Sequence, residues 1–135
     1  MSVGLLIITH EGIANAILDT AVNILGNCPL TVDILPAARD CDTDQLRKRV
    51  AQKVDELDCG DGVLILLDIY GSTPSNIACS VVDPHRVRVI SGINLPMLVR
   101  VFNYCDLALP ELAEKALSGG RDGVFICSEG GARNA

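Results

Sequence analysis

The sequence predicts an α/β fold with an open, mostly parallel, doubly wound sheet, and three observations carry this prediction. The length of 135 residues suits one domain with one sizeable core. Apolar residues make up 49% of the chain, yet it contains only two Tyr, two Phe and no Trp, so the core must consist of aliphatic side chains, as in buried parallel strands. Strand-length apolar runs also alternate with helical periodicity, which requires right-handed crossovers and helices on both faces of the sheet.

The first half of the chain contains two strand–helix units. Residues 3–9 (VGLLIIT) form a continuous apolar run that predicts a strand, and apolar residues then recur at helical spacing up to Gly26: Ile13, Ile17, Ala21 and Ile24. Residues 31–35 (TVDIL) predict a second strand. Asp42 and Gln45 form a capping-box pattern ahead of a second helical series, Leu46, Val50, Val54 and Leu57.

The third unit is centred on residues 63–67 (VLILL), which follow a glycine-rich break at 60–62. This run is apolar without alternation, as expected of a central strand that is covered on both faces. Thr73 offers a side-chain cap and Pro74 suits the first helical position, so a short helix is predicted to include residues 76–82.

The last third of the chain predicts one more strand, two helices and a short final strand. The ranges are 87–90 for the strand, 96–104 and 110–117 for the helices, with Gly119 and Gly120 as a helix stop, and 124–127 for the final strand. We therefore expect one domain over residues 1–127 and a flexible tail over 128–135, and we assume the flavodoxin-like strand order 2-1-3-4.

Charge and cysteine spacing exclude several classes of function. A formal net charge of −6 disfavours binding to nucleic acid or to anionic lipid, which needs clustered Lys and Arg. No charged leader precedes the first strand and no apolar run approaches the ~18 residues of a membrane span, so we expect a cytoplasmic protein without membrane insertion. The six cysteines lie far apart without a C-x-x-C pair, which favours reduced thiols, and no metal or cofactor is expected.

Two polar residues follow neighbouring strands of the predicted sheet. His10 closes the first strand and Asp68 follows the third, and ligands of such folds bind beyond the carboxyl ends of these strands, where the winding reverses. A carboxylate that accepts the proton of one imidazole nitrogen fixes the tautomer and leaves the other nitrogen as a nucleophile. Either residue alone is more often a surface or capping residue, but together they predict a catalytic pair.

The same crevice is predicted to favour an anion. The helix after His10 and the short helix at Thr73 both point their amino ends at it, and Gly71 permits close approach of the backbone. Nucleotide-binding glycine loops are absent, so the pattern indicates phosphoryl relay through a phosphohistidine. The alternative is that Thr73 and Pro74 simply start a helix.

At these residues the sequence resembles the enzyme IIA component of the mannose family of the bacterial phosphoenolpyruvate-dependent sugar phosphotransferase system (PTS). The resemblance extends to Cys127 and is carried by three segments, Thr9-His10, residues 68–76 (DIYGSTPSN) and residues 92–98 (GINLPML). It implies a phosphotransferase in which His10 is phosphorylated by the small carrier HPr and discharged onto an enzyme IIB domain. It also implies that Asp68 hydrogen-bonds the histidine and that Thr73 supplies a hydroxyl near the phosphate.

Further expectations follow from this resemblance. Gly71, Ser72 and Thr73 are the predicted phosphate-binding residues, although Ser72 stands where the family commonly has a second glycine. The family implies a homodimer in which the last strand, here 124–127, crosses to the partner's sheet. Because no IIB domain follows in this sequence, we expect the acceptor to be a separate protein.

Two alternative functions remain open at this point. A regulatory phosphoprotein would also use His10, with its phosphorylation state controlling a transcriptional or metabolic partner. A flavodoxin-like module that binds flavin is suggested by fold alone, and the scarcity of aromatic residues disfavours it.

Several residues near the predicted site are given structural roles. His85 is predicted to lie in an exposed loop. Asn94 and Pro96 either shape a docking surface or terminate the fourth strand, and Met97 and Leu98 are predicted to be core residues.

Overall fold

The part of the chain that the structure describes, residues 2–38, 40–83 and 85–128 of a computed structural model, alternates strands with helices. The strands are β1 (Gly4–His10), β2 (Val32–Ala37), β3 (Val63–Leu67) and β4 (Val87–Ser91). The helices are α1 (Ile13–Leu25), α2 (Thr43–Leu57), α3 (Thr73–Ser80), α4 (Leu95–Asn103) and α5 (Leu109–Asp122). All pairings between these strands are parallel in the order β2-β1-β3-β4, which confirms the predicted order. None of these helices combines the length and apolarity that a bilayer crossing requires.

The side chains of β1 alternate between two apolar cores, one on each face of the sheet. Leu5 and Ile7 pack in the core beneath α1, α4 and α5, whereas Leu6 and Ile8 pack in the core beneath α2 and α3. All five side chains of β3 are buried, as expected for a central strand. The alternation assigns the next two side chains of β1 to opposite faces, with Thr9 on the α1 side and His10 on the α2 and α3 side.

The start of α2 confirms the predicted cap, whereas the start of α3 corrects one. The Asp42 side chain accepts hydrogen bonds from the amides of Asp44 and Gln45. At α3 the cap is Ser72 and not Thr73, which is already the first helical residue. Ser72 has an extended backbone, and its hydroxyl accepts a hydrogen bond from the Ser75 amide and donates one to the Ile69 carbonyl oxygen. It therefore provides a partner for a free amide of the helix and for a carbonyl of the preceding turn.

The two glycines predicted to stop the last helix lie inside it, so that prediction is wrong. Helix α5 continues through Gly119 and Gly120 to Asp122, and both glycines lie against side chains of α4. A Cβ at Gly119 would lie 2.8 Å from the Arg100 Cβ, and one at Gly120 would lie 2.7 Å from the Met97 Cε. Glycine here serves helix contact rather than helix termination.

The predicted final strand at 124–127 is absent from the described part of the chain. These residues follow α5 as irregular backbone, and Ile126 has 92% of its surface exposed. A strand forms only by pairing with the edge of a sheet. Exchange with a second copy requires a second chain and stays a prediction, and residues 129–135 of the predicted tail lie outside the described residues.

Candidate functional site

The side chains of His10 and Asp68 meet at the carboxyl end of the two central strands. Register places Ile8 of β1 opposite Leu67 of β3, so the residues that follow share one edge of the sheet. Asp68 Oδ2 lies 2.8 Å from His10 Nδ1 and 2.9 Å from the His10 backbone nitrogen. The contact expected between these two residues is therefore present.

The surroundings of Asp68 fix the roles in this pair. Burial raises the pKa of its carboxyl, but hydrogen bonds from the His10 amide, the His10 ring and the Ile69 amide outweigh burial and hold the pKa below its ordinary value. Asp68 is therefore an ionised acceptor at neutral pH, and His10 Nδ1 must carry the proton of the hydrogen bond. This tautomer leaves Nε2 with its lone pair, and the His10 side chain is 50% exposed.

A cavity of about 530 Å³ opens beside the imidazole. Its walls come from three strand-to-helix connections, and the described residues that line it are His10, Glu11, Ala37, Ala38, Cys41, Thr43, Thr73 and Pro74. The share contributed by the β2–α2 connection, including Cys41 and Thr43, was not predicted. The strand order offers the signal, because β2 lies next to β1 and its carboxyl end must border the same crevice.

Of the three predicted phosphate-binding residues, Thr73 is the one that lines this cavity together with His10. No residue in the described ranges hydrogen-bonds its hydroxyl. Gly71, with φ +89°, forms the turn before α3, and its amide donates to the Ser75 hydroxyl. Ser72 caps α3, so Gly71 and Ser72 hold the turn in place and their role toward a phosphate stays a prediction.

The turn between β1 and α1 is held by a buried hydroxyl that the sequence patterns did not reveal. Thr9 has none of its surface exposed, and its Oγ1 donates to the His10 carbonyl oxygen at 2.7 Å. Thr9 Oγ1 also accepts a hydrogen bond from the Ala14 amide, in the first turn of α1, at 3.0 Å. The amides of Gly12 and Ile13, by contrast, donate to no group of the described residues. A threonine at the end of a wholly apolar strand was the available signal.

His85, Met97 and Leu98 lie where they were predicted to lie, whereas Asn94 has a role that was not predicted. His85 is exposed in the connection before β4, where its amide donates to Asp83. Asn94 caps α4 by accepting from the Met97 amide, and it also donates to the Gly120 carbonyl oxygen. Met97 and Leu98 are buried, which confirms them as core residues.

Comparison with known proteins places this geometry in a family. Residues 4–117 match the family model EIIA-man, described as the PTS system fructose IIA component. The chain is 33% identical over 129 residues to the PTS system mannose-specific EIIAB component of Escherichia coli K12, an alignment that covers 92% of this chain and 39% of that protein. The PTS system fructose-specific EIIA component of Bacillus subtilis is 31% identical over 86 residues, 62% of this chain and 59% of that protein.

Solved structures share the fold. The mannose/sorbose-specific IIA subunit from Enterococcus faecalis superimposes with a TM-score of 0.83 at 22% identity, covering 98% of this chain and all of that chain. The PTS IIA protein associated with the fucose utilization operon of Streptococcus pneumoniae gives 0.79 at 25% identity, with 93% and 96% covered. The chain spans about two fifths of the length of the E. coli relative, so the comparison concerns the IIA portion of that protein. On this evidence the chain belongs to the EIIA-man family, the mannose-type enzyme IIA components of the phosphotransferase system.

Proposed function

We propose that the protein is a phosphoryl carrier that accepts a phosphoryl group on Nε2 of His10 and passes it to another protein. The observation that carries the proposal is the hydrogen bond of His10 Nδ1 to the ionised Asp68, which leaves Nε2 unprotonated beside a cavity. A neutral imidazole in this tautomer is a nucleophile that needs no base to remove a proton first.

In the proposed transfer, the Nε2 lone pair forms a bond to phosphorus while the bond between phosphorus and the donor atom breaks. The donor atom keeps the electron pair of the broken bond. The ring becomes positively charged as the new bond forms, and the Asp68 carboxylate at 2.8 Å stabilises that charge without taking the proton from Nδ1. Discharge onto the acceptor is the same step in reverse, so His10 is regenerated with its tautomer unchanged.

The phosphoryl oxygens would be held by groups of two helix amino ends. The Thr73 hydroxyl and the amides of Gly12 and Ile13 lack partners among the described residues, and helix dipoles favour a negative charge at both positions. Gly71 and Ser72 would act by fixing the turn that carries Thr73.

The family suggests the partners. We propose HPr as the donor and an enzyme IIB domain as the acceptor, in sugar uptake through the cytoplasmic part of the phosphotransferase system. The E. coli relative is named a mannose-specific EIIAB component, which supports a IIB acceptor. If the phosphoryl group stays on His10 until it is hydrolysed, the protein is a regulatory phosphoprotein instead.

Phosphorylation from phosphoenolpyruvate with enzyme I and HPr tests the proposal, and the chain provides its own control in its second histidine. The wild type and H85A should gain an acid-labile phosphate, whereas H10A should gain none. Retention of the label in H10A, or absence of labelling in the wild type, would contradict the assignment. Adding purified IIB domains and following loss of label from His10 separates the carrier from the regulatory phosphoprotein.

We also propose a homodimer in which residues 124–127 pair with the side of the partner's β4 that faces away from β3. The exposed apolar side chains of Val124, Phe125 and Ile126 and the edge position of β4 support this arrangement. Sedimentation equilibrium should give twice the chain mass for the wild type and the chain mass for a variant that ends at Gly123. A monomeric wild type would refute it.

A further inference from the structure

We propose that Thr9 is a positioning residue that fixes the His10 imidazole for phosphoryl transfer, an inference that rests on the proposed function. Among the described residues, Thr9 and Ser75 are the polar side chains classed as buried. Burying a hydroxyl costs free energy unless it is hydrogen-bonded. The Thr9 hydroxyl makes two hydrogen bonds, one to the His10 carbonyl oxygen and one from the Ala14 amide.

Thr9 and Asp68 together engage every polar group of His10 except Nε2. Asp68 Oδ2 accepts from the backbone amide and from ring Nδ1, and Thr9 Oγ1 donates to the carbonyl oxygen at 2.7 Å. One carboxylate oxygen can accept both bonds only while the His10 backbone and ring keep a fixed relative orientation. Asp68 holds the peptide group before the His10 Cα, and Thr9 holds the peptide group after it. Thr9 therefore helps to orient the ring through the His10 backbone.

A helix-capping role explains only half of this geometry. Gly12 precedes α1 with φ +91° and no side chain, so Thr9 replaces the missing cap by accepting from the Ala14 amide. The bond that Thr9 donates to the His10 carbonyl contributes nothing to the helix. A purely structural Thr9 would affect stability alone, whereas a positioning Thr9 must also affect the ring.

Three variants separate these roles. Thr9→Val keeps the shape and removes both hydrogen bonds, and Thr9→Ser keeps the hydroxyl and should restore them. Thr20→Val is the matched control, because the Thr20 hydroxyl donates to the Ala16 carbonyl oxygen on an exposed part of α1. If T9V does not fold, Thr9→Cys, which offers only a weak thiol donor, replaces it.

The first readout is the ¹⁵N chemical shifts of the His10 ring in each unphosphorylated variant, at a pH where the imidazole is neutral. We expect the wild type, T9S and T20V to show one tautomer with the proton on Nδ1. We expect T9V to show exchange between both tautomers. This readout needs no phosphoryl donor, so it tests Thr9 even if the wild type proves not to be phosphorylated.

The second readout is the kinetics of phosphorylation by phospho-HPr. We expect T9V to lower kcat about tenfold, with KM for the donor unchanged. This is the effect of losing the one hydrogen bond that Thr9 donates to the His10 carbonyl oxygen. T9S and T20V should match the wild type. A T9V protein with an unchanged tautomer would overturn the inference, as would a T9S protein that is as impaired as T9V. An inactive wild type with the expected tautomer shift would refute the proposed function while leaving Thr9 as the residue that positions the ring.

Discussion

A single carboxylate oxygen of Asp68 accepts two hydrogen bonds from His10, one from its backbone amide and one from its ring. The two donor–acceptor distances, 2.9 and 2.8 Å, are nearly equal. The other oxygen, Oδ1, accepts from the Ile69 amide at 2.8 Å, which orients the carboxylate from its own side. Backbone amides at the ends of both strands thus hold the Asp68 carboxylate, and the carboxylate in turn fixes the orientation of the His10 ring.

Replacing Asp68 with Asn should slow phosphorylation of His10 on the order of a hundredfold or more. An amide can present its NH₂ group to Nδ1, which favours the wrong tautomer, and it cannot stabilise the positive ring. The rate of labelling by phospho-HPr measures the effect. Asp19→Asn removes the same charge from an exposed position on α1 and should leave the rate unchanged. A D68N protein that is phosphorylated at the same rate as D19N and the wild type would show that the transfer does not need the Asp68 carboxylate.

The free energy of unfolding should depend on pH through Asp68. Because the pKa of Asp68 is lowered, the stability should decrease as the pH falls. A carboxyl whose pKa in the folded protein lies below its ordinary value of 3.8 stabilises the fold when ionised, so its contribution is complete above about pH 5 and is lost as the pH falls through the folded pKa. Urea unfolding of the wild type and D68N at several pH values tests this. The difference between their free energies of unfolding should shrink as the pH falls below 3.8. Asp58, whose pKa is also lowered, first by its bond to Arg86, is present in both proteins and cancels.

Ser72 and Thr73 should separate stability from chemistry, although they are adjacent. Ser72→Ala removes the cap of α3 and should lower the free energy of unfolding by about 1 kcal/mol. Thr73→Val removes a hydroxyl that faces the cavity and should slow phosphorylation roughly tenfold to a hundredfold with little loss of stability. Denaturant unfolding and labelling rates of both variants form the test, and a T73V protein that is phosphorylated at the wild-type rate would remove Thr73 from the site.

The two glycines of α5 should respond differently to alanine. At Gly119 the new Cβ meets the Arg100 Cβ, which cannot move without its backbone, so overpacking should cost about 1 to 2 kcal/mol after the gain in helix propensity. At Gly120 the new Cβ meets the Met97 Cε, the end of a flexible side chain, and the change should be about neutral. Urea unfolding compares the variants, and equal losses would mean that the α4–α5 contact is looser than described.

The elements that the sequence predicted well are those decided by local patterns. The short aliphatic run at Val63–Leu67, with glycines before it, favours a covered strand, and Asp42 caps α2 as its spacing to Gln45 predicts. The contact of His10 with Asp68 also followed, because parallel strands end at a common edge once their order is known. The strand and the cap need no knowledge of what packs against them, whereas the contact of His10 with Asp68 also needs the strand order.

The features that were missed depend on partners remote in sequence. Gly119 looked like a helix stop because glycine disfavours helices, but contact with Arg100, 19 positions earlier, outweighs that preference. Thr73 and Ser72 are both acceptable caps locally, and the carbonyl of Ile69 selects Ser72. Residues 124–127 have the composition of a strand, but composition does not determine which chain's sheet such a strand joins.

The register of β1 carries a final consequence. Thr9 and His10 face opposite sides of the sheet, one toward α1 and one toward the cavity. A slip of a single residue along the neighbouring strands would exchange them, turning the hydroxyl outward and burying the imidazole among aliphatic side chains. The proposed reactivity of His10 therefore depends on the register of β1. A molecule with a shifted register could keep its native helix content and still not be phosphorylated.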